Sequence, residues 1–101
     1  MKAKEYANQK IRLSDGSIVS VVIWELPEKT EERPHGFKYR LNFSTADGIT
    51  LVRYDNERGK GDHRHLAERE ESYKFIDIET LLDDFWRDVD ELLEREEDEE
   101  T

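Results

Sequence analysis

The hydrophobic period of this chain changes once, from two to about 3.6, and that change restricts the fold more than any other feature. Phe37, Tyr39, Leu41 and Phe43 alternate with Lys38, Arg40 and Asn42. That is the pattern of a strand with one buried face. Ile78, Leu81, Leu82, Phe85, Trp86, Val89, Leu92 and Leu93 recur at spacings of three and four, as in an amphipathic helix. Between Ile18 and Leu26 the chain is rich in β-branched residues and apolar on both faces, which suits a central strand. Short strand candidates at Lys10–Leu13 and Ile49–Asp55 complete two hairpins. Their turns are Ser14-Asp15-Gly16-Ser17 and Ala46-Asp47-Gly48, each with Asp-Gly chemistry. The expected fold is α+β: an antiparallel sheet of about four strands packed against one long C-terminal helix, with Asp77 as its N-cap. One domain is expected over residues 1–93, followed by an acidic tail over 94–101 that frays. Pro27 to Pro34 reads as an exposed, charged loop.

Composition excludes several chemistries. The chain has 101 residues and no cysteine. Disulfides, thiolate metal sites and cysteine nucleophiles are therefore absent. No run approaches the roughly 18 apolar residues of a membrane span, and the first ten residues lack the apolar core of a signal peptide. A cytoplasmic protein with no membrane partner is expected. The net charge of −10 is unevenly distributed: residues 1–32 carry −1, residues 33–69 carry +3 and residues 70–101 carry −12. An anionic partner is repelled by the last third and attracted by the middle.

All three histidines lie in that middle third. The densest stretch is R-Y-D-N-E-R-G-K-G-D-H-R-H, from Arg53 to His65. Almost nothing in it is buried without a partner, so packing alone does not account for it. His63 and His65 can give and take a proton near neutral pH, and in extended chain their rings project to one side. His35 is a third candidate. Arg53, Arg58, Lys60 and Arg64, with Lys38 and Arg40 from the neighbouring strand, form a candidate phosphate-binding patch. Tyr54 offers a ring for stacking on an unpaired base. Asp55, Asn56, Gly59, Gly61 and Asp62 shape the loop, and Asp55-Asn56 reads as a turn. Cations, histidines and flexible backbone together are what metal-independent RNA cleavage needs. The competing readings are a non-catalytic module gripping protein or nucleic acid through the same patch, and a transition-metal site on His63 and His65 with Asp55, Asp62 or His35 as third ligand. H-x-H alone is a weak metal signature, so no metal and no cofactor is expected. Trp24 and Trp86 read as core or interface aromatics.

Three segments carry a family resemblance: H-G-F-K-Y-R-L (His35 to Leu41), L-V-R-Y-D-N-E-R-G-K-G-D-H-R-H (Leu51 to His65) and D-F-W-R-D-V (Asp84 to Val89). Together the chain resembles the TumE family of small prokaryotic proteins, toxins of toxin–antitoxin pairs. The matching positions are His35, Tyr39, Arg53, Tyr54, Asp55, Asn56, Gly59, Gly61, His63 and His65. The resemblance implies a protein made beside an antitoxin, often one with a DNA-binding domain, that neutralises it by direct binding. By analogy with other small toxins, RNA or the ribosome is the expected target. The long acidic tail departs from the basic character of RNA-cleaving toxins. An exposed edge strand leaves room for a dimer.

Overall fold

The computed structural model describes residues 2–57 and 61–100, with side chains through Arg95. Arg58, Gly59 and Lys60, expected at the site, lie outside the described residues. Strands β1 (Lys4–Arg12), β2 (Ile18–Glu25), β3 (Phe37–Ser44), β4 (Thr50–Asp55), β5 (His63–Leu66) and β6 (Arg69–Ser72) precede one helix, α1 (Ile78–Glu100). The strands form a single antiparallel sheet in sequence order, a six-stranded meander.

The sheet therefore has six strands rather than the four expected. β5 (H-R-H-L) and β6 (R-E-E-S) contain a single aliphatic residue between them. Strand detection from apolar alternation fails on such segments. Their turn carries no glycine either, because Ala67 takes the left-handed conformation at φ 57°. β1 also starts at Lys4, well before the expected Lys10. Both sheet edges, β1 and β6, are rich in charged or polar residues, which discourages edge-to-edge association.

The Asp-Gly turns form as expected. Gly16 sits at φ 88° and Gly48 at φ 90°, a region that L side chains avoid. Asp77 caps the helix by accepting the Thr80 N–H at 2.7 Å, and the same bond holds its carboxyl below the usual carboxylate range.

The helix lies on one face of the sheet. Ile78, Leu81, Phe85 and Val89 are buried against Val19, Val21 and Ile23 of β2, Tyr39, Leu41 and Phe43 of β3, and Val52 and Tyr54 of β4. Polar contacts fix α1 over the β4–β6 end. The Tyr54 hydroxyl donates to Asp88, which also receives Arg64 Nη1 at 3.3 Å. Arg64 Nε is 2.7 Å from Glu71, and the Tyr73 hydroxyl donates to Asp84 at 2.6 Å. Burial and then the carboxylate partners raise both phenols well above their ordinary range. Both stay protonated, as these bonds require. No helix among the described residues is long and apolar enough to cross a membrane.

Phe85 is fully buried at the centre of the helix–sheet seam. Phe85→Ala should lower unfolding free energy by about 3–5 kcal/mol, a large part of the reserve of a domain this size. Urea denaturation checks this: a lower midpoint at unchanged slope is expected.

Candidate active site

The site follows from register. Arg53 pairs with Asn42 and with His65, and Asp55 pairs with Arg40 and with His63. Residues paired across a sheet share a face. Val52 and Tyr54, the neighbours of Arg53 along β4, are fully buried under the helix. Period-two alternation therefore sends Arg53, Asp55, His63 and His65 to the opposite, open face. Glu70 of β6 joins them, opposite His65.

Asp55 is the hub. Its Oδ1 lies 2.8 Å from His63 Nε2 and its Oδ2 lies 3.0 Å from Arg53 Nε. His63 Nδ1 faces the Gly61 carbonyl at 3.0 Å. Both ring nitrogens of His63 thus lie within 3.0 Å of an oxygen acceptor. His65 has the reverse environment. Its Nε2 lies 3.0 Å from Arg53 Nη2. A guanidinium only donates, so this nitrogen carries the lone pair and the proton sits on Nδ1. The two rings are 5.5 Å apart and nearly perpendicular. Glu70 Oε1 lies 3.7 Å from His63 Nε2 and 3.5 Å from His65 Nε2. His63 is nearly buried, whereas the His65 side chain is 22% exposed. The Nε–H of Arg53 aims away from Asp55 despite the short distance, leaving a buried donor with no hydrogen bond among the described residues.

Other expected site residues go elsewhere. His35 sits on the helix side, stacked on Phe75 at 3.8 Å between centroids. Its Nδ1 accepts the Phe37 N–H at 3.1 Å and its Nε2 donates to Asp62 at 3.0 Å. Asp62 also accepts the Tyr39 hydroxyl at 2.7 Å. Burial and this carboxylate raise the Tyr39 phenol far above its usual range. The structure does not bring His35 to the His63–His65 pair. Tyr54 and Arg64 face the helix, bound to Asp88. Asp55 is not in a turn: it ends β4. Asn56, 2% exposed, extends the ladder with its side chain, accepting the Tyr39 N–H at 3.0 Å and donating to the Phe37 carbonyl at 2.7 Å. Lys38 and Arg40 share the open face with Arg53.

His63, His65 and Glu70 offer ligand atoms within 4.8 Å of one another, a candidate metal triad. The His63 Nδ1–H to Gly61 contact is the kind that orients metal-bound imidazoles. Arg53 already occupies the lone pair of His65, so a cation here has to displace a guanidinium.

The sheet with its single covering helix and a paired-histidine face defines a small α+β protein with a polar site on its open side. The family model described as Toxin TumE matches residues 2–93. The chain belongs to this toxin family. No curated protein and no solved structure matches it.

Two measurements check this geometry. Long-range ¹H–¹⁵N spectra should show the His35 proton on Nε2, the His65 proton on Nδ1 and a proton on Nδ1 of His63; a proton on Nε2 of His65 would contradict the Arg53 contact. Asn56→Ala strips two partners from buried backbone groups and should cost about 1–3 kcal/mol in chemical denaturation.

Proposed function

We propose that this TumE-family protein is a toxin that cleaves RNA by histidine acid–base chemistry without a metal, and that a cognate antitoxin neutralises it by direct binding. The observation carrying this reading is the opposed surroundings of two adjacent imidazoles, one with oxygen acceptors near both ring nitrogens and one whose Nε2 meets a guanidinium donor. Pairs of titratable groups held in opposed states are the usual basis of an acid/base assignment.

In this mechanism His65 is the base, being the more exposed ring with an available lone pair. It takes the proton of a ribose 2′-hydroxyl. The 2′-oxygen forms a bond to phosphorus while the bond to the 5′-oxygen breaks. His63, turning its Nε2 from Asp55 toward the substrate, donates that proton to the leaving oxygen. The products are a 2′,3′-cyclic phosphate and a 5′-hydroxyl. Asp55 orients His63 and balances its charge. Arg53 holds the phosphate oxygens through its guanidinium, and turning toward them frees the His65 lone pair. Arg40 lies next along the sheet as a further cation. His35, Tyr54 and Arg64 have structural bonds in place of roles in this step.

A second reading, a metal-dependent nuclease, is favoured by the His63–His65–Glu70 proximity. The two differ in a simple experiment. Metal-independent cleavage persists in excess chelator and yields cyclic phosphate ends. Activity that disappears with chelator and returns with a transition metal would replace the first mechanism with the second.

His65→Ala and His63→Ala should each reduce cleavage by about 10²–10⁴ and relieve growth arrest on induced expression. Thermal unfolding should show His65→Ala folded, since that ring is partly exposed. Arrest and RNA fragmentation that persist in the folded double variant would remove the histidine mechanism.

A further inference from the structure

The sheet has two faces and one helix. The face opposite α1 continues from the histidine pair across β3, β2 and β1. Register places Lys38 and Arg40, Val22 and Trp24, and Lys10 and Arg12 on this same side. Lys10, Arg12 and Arg40 are exposed, and Val22 and Trp24 are only half-buried. A shallow groove runs between Lys10, Val22 and Arg40. Among the described residues, none of Lys10, Arg12, Lys38 and Arg40 enters an ion pair. Glu5 is the single carboxylate at the described strand positions of β1–β3 on this face. The helix behind it exposes Glu79, Asp83, Asp90, Glu91 and Glu94. Over β1–β3 cations thus outnumber carboxylates on the open side, while the exposed surface of α1 behind it is acidic.

We infer that this face binds single-stranded RNA and leads it over β1–β3 to His63 and His65, an inference that rests on the nuclease reading and names its substrate. Four uncommitted cations match the charge of a phosphodiester backbone. A half-exposed tryptophan beside Val22 and opposite Lys38 offers a stacking surface, which only an unpaired base can use. A duplex keeps its bases stacked and gains nothing from Trp24. From β5 to β1 the sheet spans four inter-strand spacings, about 19 Å, enough for a few nucleotides. The acidic helix disfavours binding from the other side and so orients the strand.

The test uses full-length His63→Ala/His65→Ala protein, which holds RNA without cutting it, and a fluorescently labelled single-stranded 12-mer read by anisotropy. Lys10→Glu/Arg40→Glu in that background should weaken binding at least tenfold. The dependence of log K on log salt should flatten by about 1.4, from roughly 0.7 per lost phosphate contact on a single strand. Trp24→Leu should weaken single-strand binding several-fold, and the annealed duplex should bind at least tenfold more weakly than the single strand. Circular dichroism melting checks folding, and Lys10→Gln/Arg40→Gln makes the same test should charge reversal unfold the protein. Equal affinity of the charge-reversed protein and its parent would overturn the track, even with cleavage still lost in the histidine variants. Binding that follows the face with no cleavage by the wild-type histidines would keep the track and sink the nuclease. Growth arrest that depends on Lys10 and Arg40 with no RNA bound would also overturn the proposal and assign the face to an acidic protein.

Discussion

One helix covers one face of the sheet, and every other feature follows from that asymmetry. A strand residue is either under α1 or open to solvent, and its neighbour takes the other state. On β4 this puts Val52 and Tyr54 in the core and sends Arg53 and Asp55 outward. On β5 it puts Arg64 beneath the helix and His63 and His65 outside. A one-residue slip of β5 against β4 would drive both imidazoles under the helix and expose Arg64. The core thereby sets the site: burial of Tyr54 and the Arg64–Asp88 bond lock the register that brings Asp55 within 2.8 Å of His63.

The site also gathers its charged groups before a ligand arrives: Asp55 and Glu70 lie beside Arg53 and His63. Arg53 is its least committed member, joined to Asp55 by distance but without a hydrogen bond from Nε. A buried donor left unmade is costly, and Arg53 relieves that cost only by moving its guanidinium. This is how a ligand could unlock His65: the same guanidinium serves the phosphate or the imidazole lone pair.

Much of this was legible in the sequence, and the failures have identifiable causes. The α+β class, the Asp-Gly turns and the helix cap rest on period and turn chemistry, which are local. The face of the histidine pair was legible too, through the H-x-H spacing. The same alternation should have removed Tyr54 and Arg64 from the phosphate patch, because residues between outward neighbours point inward. β5 and β6 were invisible for want of apolar alternation, and Glu70 was lost with them, since only that hairpin brings it opposite His65. His35 could not be placed, as its position depends on a loop meeting Asp62 and Phe75 from distant parts of the chain. Asn56 beside a glycine-rich stretch looks like a turn residue and is instead a buried extension of the ladder.

The acidic C-terminal third stands against an RNA-directed face, and distance resolves the conflict. A helix with its side chains is about 10–12 Å across, so the carboxylates on the outer side of α1 stand about that far from the sheet. The screening length at physiological salt is about 8 Å. A phosphate on the open face therefore responds chiefly to Arg40, Arg53 and the cations of β1 and β3, with the helix charge largely screened. At low ionic strength the screening length grows to about 30 Å and the helix begins to repel the same phosphate. Net charge governs such a protein at long range, but the local arrangement governs it at contact. The −10 of the whole chain accordingly weighs on how fast a polyanion approaches more than on how well it is held.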